Sequence, residues 1–390
     1  MNTTLKKHNI PLMYAICFFQ GIVLYASIST LYRQARGLSL AEYAIIDGFS
    51  YLFQLSFEVP FGMLADRIGY KKTLVLSNGI YLLSKIIFWQ AFSFGSFFLE
   101  RLFFAMALAG LSGLDTSILY LSCKKQDSQK IFSWYGAFGT AGMLTGCLIF
   151  TLFLSTNYDA TAFGTVVAYG IAFLLSFFVT DVRDEEPKDP RPTFSRLTEI
   201  LKITVTDRKF LLFLLGDSLI CYGAWASRVL LSQQKLLSVG LTEQHIGWME
   251  ITISCLGLSA VASAALTKKL KFKPFMVICV LTITIGALIL GLTGNPCLAI
   301  LCCILIDAAC CWMNPLISEL YNRRVTVSDR ATQLSVYAML TELLSFSISF
   351  LMAAVSAWSS QGSFVLCSGM SLTGIFLFLY CYRGVKTLDE

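Results

Sequence analysis

Twelve apolar runs of about 20 residues follow one another along this chain, near 11–32, 40–61, 73–94, 96–121, 131–155, 160–180, 208–232, 242–266, 274–294, 296–321, 331–357 and 362–382. A helix rises about 1.5 Å per residue and bilayer hydrocarbon is about 30 Å thick, so each run is long enough to cross it. Without water to satisfy backbone N–H and C=O groups, a spanning segment of this kind must be helical. The 390 residues are 56% apolar and 14% charged, and mean hydropathy is +0.68, which a soluble domain does not reach. The expected fold class is therefore an all-α membrane protein with twelve transmembrane helices, numbered below as spans 1 to 12. The first run exceeds the apolar core of a secretion signal and lacks an Ala-x-Ala exit, so it reads as a span.

Lysine and arginine set the orientation. With the N-terminus cytoplasmic, the segments on that side hold 24 of the 30 basic residues, the opposite side has Arg33, Arg36 and Lys235, and Lys85, Arg101 and Arg228 fall within spans. This split places both termini in the cytoplasm. The net charge of +6 is then a topology signal and gives no argument for nucleic acid. The sequon Asn2-Thr3-Thr4 lies on the cytoplasmic side and the outer loops are very short, which points to a bacterial inner membrane.

Hydropathy collapses once, at residues 183–207, where charged residues and Pro187, Pro190 and Pro192 oppose regular structure. This linker divides an N-terminal six-helix bundle, residues 1–182, from a C-terminal one, residues 208–390. An internal echo supports duplication: Ser133-Trp134-Tyr135-Gly136-Ala137-Phe138 aligns with Ser335-Val336-Tyr337-Ala338-Met339-Leu340, 202 residues on.

Between spans 2 and 3 lies Gly62-Met63-Leu64-Ala65-Asp66-Arg67-Ile68-Gly69-Tyr70-Lys71-Lys72-Thr73, read as a short basic turn with glycines at both ends. The pattern G-x-L-a-D-R-x-G-x-K-K resembles the signature loop of the major facilitator superfamily of secondary transporters. At the offset of 202 the C-terminal copy is degenerate, with Lys268 for Asp66 and Lys271 for Gly69. The resemblance implies two pseudo-symmetric bundles holding substrate between them near the midplane. It also implies that Gly62 and Gly69 permit tight backbone geometry, while Asp66, Arg67, Lys71 and Lys72 form a conformational latch with Arg330 at the start of span 11. The alternative is that these residues only set topology and loop folding.

Two further family motifs bear on coupling. Arg101 resembles an arginine near the outer end of span 4 implicated in proton coupling in antiporters, although an arginine there can equally snorkel to the interface. The span 5 glycines Gly136, Gly139, Gly142 and Gly146 have close-packing spacing, but Gly142 is followed by Met143 where antiporters have proline.

Ionisable residues within spans carry the remaining chemistry. Seven acids, Asp47, Glu58, Asp115, Asp217, Glu250, Asp307 and Glu342, oppose Lys85, Arg101 and Arg228. A buried charge costs several kcal/mol unless paired, hydrated or neutralised by a proton, so unpaired acids are proton or cation sites. Asp307 and Glu342, midway along spans 10 and 11, rank first. Asp115 and Asp217 follow, because the family's cavity is lined by spans 1, 4, 7 and 10. The bland reading of any one acid is a structural interhelical pair, and Lys85 must have such a partner. Asp307, Cys311, Asn314 and Ser318 share one helical face. Asp47, Tyr51, Gln54 and Glu58 make a polar seam on span 2, which is either a sliding interface or ordinary interhelical hydrogen bonding. Trp225 and Trp312 can stack on a planar or cationic ligand or simply pack; Trp89 and Trp358 fit interfacial anchors.

Thirteen cysteines with no C-x-x-C pair read as packing residues, and the two histidines form no metal set. The chain lacks a phosphate-binding G-x-x-x-x-G-K-S/T motif, which argues against an enzyme or a nucleotide-driven pump. The expectation is a monomeric secondary transporter without cofactor, closest to proton-coupled drug antiporters, exporting small amphipathic or cationic compounds down an ion gradient. An uptake permease for a sugar or amino acid, or a non-transporting receptor or lipid-handling protein, are the alternatives.

Overall fold

The computed structural model describes residues 8–123, 128–182, 193–257, 263–324 and 330–382. Helices occupy all twelve expected places. Span 1 comprises Asn9–Gly21 and Ser29–Ala35, joined by a short 3-10 turn at Ala26–Ile28; span 2 is Leu40–Ile68 and span 3 Tyr70–Gln90. Span 4 is Phe94–Leu111 followed by Leu114–Ser122, span 5 Ser128–Ile149 with a π-helical end at Phe150–Leu154, and span 6 Tyr158–Ser176. Span 7 runs through Arg208–Trp225, a π-helical stretch Ala226–Leu231 and Ser232–Ser238; span 8 comprises Glu243–Gly257 and Ser263–Leu270. Spans 9 to 12 are Phe272–Leu292, Pro296–Arg324, Arg330–Ser356 and Ser360–Tyr382. Among the described residues nine spans are long and apolar enough by themselves to cross a membrane; spans 2, 3 and 8 fall short of that standard. Large apolar side chains also cover the outside, as with Phe153 and Phe178 at 76% and 72% exposure, and such a surface is stable only against lipid.

The chain divides into two units. Unit 1 is 1–38, 49–187 and 243–254; unit 2 is 39–48, 188–242 and 255–390. Each thus takes a short helical piece from the other half of the sequence. In unit 1, Glu243 at the start of span 8 accepts a hydrogen bond from the Tyr158 hydroxyl at 2.9 Å. In unit 2, Gly48 of span 2 lies against Ser349, where a Cβ would come within 1.8 Å of its Oγ.

The signature segment is not a loop. Span 2 continues as helix through Pro60 and Gly62 to Ile68, and span 3 begins at Tyr70, so Gly69 alone makes the turn. Its φ of 93° with ψ of 157° is a region that only glycine enters without strain. Gly62 does not have the close approach expected of it: it is helical, and nothing lies within 4 Å of where its Cβ would be. The linker also differs, because Thr193–Thr206 is a helix that begins immediately after Pro192. The prolines do not prevent a helix downstream of them.

Backbone irregularities repeat 202 residues apart, beyond the weak sequence echo. Lys271 precedes span 9 with φ 63° and ψ 155°, the counterpart of Gly69 before span 3 and the one non-glycine with positive φ among the described residues. The break in span 1 corresponds to the π-helical stretch of span 7, and left-handed Gly113 within span 4 corresponds to Pro315 within span 10. Because a side chain at positive φ is strained, Lys271→Gly is expected to stabilise the protein by about 1 kcal/mol, read as a rise in thermal midpoint in detergent, and Gly69→Ala to destabilise it by at least as much.

Spans 1 and 5 cross closely in unit 1. A Cβ on Gly142 would lie 2.0 Å from the Phe18 carbonyl oxygen, and one on Gly21 would lie 2.5 Å from that of Gly139. Gly139, Gly142 and Gly146 therefore serve the packing their spacing implied, whereas Gly136 faces open space. All thirteen cysteines are free thiols, six of them buried.

Candidate functional site

The polar site of unit 2 is built on spans 7 and 10. At Ala226–Leu231 span 7 widens to a π-helical turn, and Arg228 within it is directed at span 10, where its Nε donates to Oδ2 of Asp307. Single π-helical turns are enriched at functional positions because they re-aim a side chain. Asp307 is therefore paired, contrary to its reading as an unpaired acid. The two residues are 79 apart in sequence, a separation no helical periodicity reveals. Their side chains retain 11% and 23% exposure, so the pair is accessible rather than sealed.

Below Asp307 on the same face, Cys311 is half-buried and Asn314 and Ser318 are exposed, as the spacing indicates. Pro315 lies beside them within the continuous helix of span 10 and removes one backbone donor. One turn further, the Tyr321 hydroxyl donates to Oδ2 of Asp217, and the Cys221 thiol contacts its other oxygen at 3.4 Å. Trp225 lies with its ring 5.6 Å from that of Tyr222, and Trp312 packs 6.5 Å from Phe275 of span 9. Glu342 is half-buried midway along span 11.

Unit 1 has a matching arrangement. Span 4 breaks at Ser112 and left-handed Gly113, then restarts, placing Asp115 in a first helical turn where the exposed backbone N–H groups favour an anion. Its Oδ2 accepts from the Tyr135 hydroxyl of span 5 at 2.7 Å. Gln20 and Asn78 join spans 1 and 3 at 2.7 Å, and the Tyr169 hydroxyl donates to the Gln20 carbonyl at 2.8 Å.

Of three basic residues in unit 1, one is not where the sequence put it. Arg33, counted among outer-loop charges, is buried in Ser29–Ala35 and paired with Glu100 of span 4 at 3.7 Å. Lys85 has no acidic partner among the described residues; its ammonium donates to the Tyr25 hydroxyl at 2.9 Å. Arg101 is half-buried with its guanidinium 5.1 Å from the Phe104 ring centroid. Arg36 joins Asp159 at 2.9 Å, and the Trp89 indole donates to the same carboxylate oxygen at 3.0 Å, an anchoring role at the end of span 3. Trp358 is 92% exposed.

Around the signature segment, Arg67 and Lys72 are exposed and Lys71 is half-buried. The side chains of Asp66 and Arg330 lie outside the described residues, so the latch between them receives no geometry. One participant was missed. Asp181, assigned by hydropathy to the edge of the linker, folds back to the start of span 3, where its Oδ1 accepts from the Lys71 backbone N–H at 3.3 Å. A carboxylate is well placed at a helix N-terminus. On span 2, Asp47 is buried in unit 2, whereas half-buried Tyr51, Gln54 and Glu58 belong to unit 1.

A family model described as Major Facilitator Superfamily matches residues 12–232, more than half the chain. The chain belongs to the major facilitator superfamily. No curated protein matches it at a significant level. Among solved structures it is similar to a mutant form of the nucleoside transporter NupG, with TM-score 0.82 and 16% identity over 96% of this chain and 100% of that one. It is also similar to a bacterial homologue of the human lysosomal transporter Spinster, with TM-score 0.70 and 14% identity over 98% of this chain and 95% of that one. A D-xylose–proton symporter gives TM-score 0.67 and 14% identity over 98% of each chain. At these identities the likeness is one of fold. This member of the superfamily is an integral membrane secondary transporter and not an enzyme; its spans 1, 4 and 7 depart from regular α-helix and its span 10 contains Pro315.

Proposed function

We propose that this transporter works by alternating access as a proton-coupled carrier for a small, uncharged, hydrogen-bonding solute of nucleoside or sugar type, taken up into the cell. The observation that carries the reading is the Arg228–Asp307 ion pair in the π-helical turn of span 7. A proton on Asp307 weakens that pair, and a change in its strength shifts the balance between conformations. Asp307 is already taken by Arg228, and Asp115 and Asp217 are each engaged by a tyrosine hydroxyl. Hydroxyl, amide and carboxylate groups along spans 7 and 10 instead suit a polar neutral molecule. The nucleoside transporter and the D-xylose–proton symporter among the structural neighbours carry solutes of that class.

The rest of the account is proposed with it. Both termini are cytoplasmic in a bacterial inner membrane, the protein acts as a monomer without cofactor, and Asp66, Arg67 and Arg330 latch the cytoplasmic side. Export of an amphipathic or cationic compound is the second reading, favoured by the glycine-packed crossing of spans 1 and 5, whose spacing resembles that of antiporters.

Vesicles reconstituted with the protein separate the two. Labelled uridine or D-xylose is expected to accumulate when the exterior is acidic and to equilibrate without accumulation when the gradient is collapsed. Failure of both solutes to enter, with proton-driven movement of a lipophilic cation instead, would overturn uptake in favour of export.

A further inference from the structure

Lys85 is the one buried lysine among the described residues, at 3% exposure, five residues before the end of span 3. Its ammonium donates to the Tyr25 hydroxyl at 2.9 Å and lies 4.7 to 5.5 Å from the ring centroids of Tyr25, Tyr81, Phe104 and Tyr169. The rings of Tyr81, Phe104 and Tyr169 favour a cation, which answers much of the cost of burying one without a carboxylate. The charged groups that face it are Arg33 from span 1 and Glu100 and Arg101 from span 4, while the tyrosines come from spans 1, 3 and 6. Glu100 is already paired with Arg33, and arginines keep their protons. Lys85 is therefore the basic group of this cluster able to give up a proton.

Tyr25 makes the exchange reversible. A phenolic hydroxyl accepts from an ammonium and donates to a neutral amine, so Lys85 keeps a hydrogen bond in either state. Tyr25 also stands on the unwound stretch of span 1 between Gly21 and Ala26, where the freed N–H of Leu24 is taken by Oγ1 of Thr165 at 3.0 Å. Non-helical backbone within a span persists only where it is buried in protein or lines a water-filled space. A broken span held at one side by a residue that changes charge can be biased between two arrangements.

We propose that Lys85 is a proton-exchanging residue of unit 1, and that its protonation state, read by Tyr25, sets the arrangement of the broken stretch of span 1. On release an N–H bond breaks, the electron pair stays on nitrogen, the proton passes to water, and the Tyr25 hydroxyl turns to donate to the amine. The inference rests on the proton-coupled reading above.

Vesicles containing a pH-sensitive dye and supplied with labelled uridine test it. Wild-type protein is expected to move protons with uridine and, at one proton per solute and a gradient of about one pH unit, to sustain about tenfold accumulation. Lys85→Arg keeps the charge and cannot release the proton. It is expected to retain uridine counterflow at zero gradient while its accumulation ratio falls to about 1. Tyr25→Phe is expected to lower accumulation in the same direction. Full coupling in Lys85→Arg overturns the inference alone, and loss of counterflow together with accumulation overturns it in favour of a structural role. Wild-type protein that moves uridine without protons, or moves neither, overturns the proton-coupled reading and this inference with it.

Discussion

Asp307→Asn is expected to abolish proton-driven accumulation and to lower stability by about 2–4 kcal/mol. The substitution removes the carboxylate that faces the Arg228 guanidinium, which is only 11% exposed, and weakening the pairing of a largely buried charge is strongly destabilising. Neutralising both partners, with Arg228→Gln added to Asp307→Asn, removes the uncompensated charge as well. That double variant should recover most of the lost stability yet remain uncoupled, because nothing at the site then takes up a proton. Thermal unfolding in detergent reads the first effect and gradient-driven uptake the second. Equal destabilisation in the single and double variants would show that the pair acts by shape and not by charge.

Gly142→Val is expected to prevent assembly of unit 1. The atom nearest its added Cβ would be the Phe18 carbonyl oxygen at 2.0 Å, and the next contacts are also backbone, so no side chain can rotate aside. Relief requires spans 1 and 5 to separate along a crossing made close by Gly21, Gly139 and Gly142. Overpacking of that kind costs about 3 kcal/mol or more and here should appear as loss of monodisperse protein after extraction. Gly136→Ala is the matched control. It lies on the same helix with nothing within 4 Å of the new Cβ, and it should gain up to about 1 kcal/mol from helix propensity.

Hydropathy made the architecture legible, because a bilayer imposes length and apolarity on the helices that cross it. The stripe from Asp307 to Ser318 was also legible, since helical period alone puts those residues on one face. Local departures from helix were not. The unwinding after Gly21 and the π-helical turn around Arg228 leave the apolar run unbroken, so nothing in composition marks them. Span 2 was ended too early because Pro60 and Gly62 are ordinary helix breakers in water, whereas in a long span one missing donor does not stop the helix. Partnerships across many residues were likewise hidden: Arg228 with Asp307, Arg33 with Glu100, Lys85 with Tyr25, and Asp181 with the start of span 3 depend on how spans pack. Two irregularities could have been anticipated. Gly69 and Lys271 stand 202 residues apart at equivalent turns, and Gly113 and Pro315, both helix breakers, share that offset.

The most direct test of the account measures proton and uridine entry together in vesicles of wild-type and Asp307→Asn protein. The account expects wild-type protein to take up protons in fixed proportion to uridine. The variant is expected to retain gradient-independent uridine exchange while its proton uptake falls to the level of protein-free vesicles. Uridine-linked proton uptake that survives intact in Asp307→Asn would contradict it.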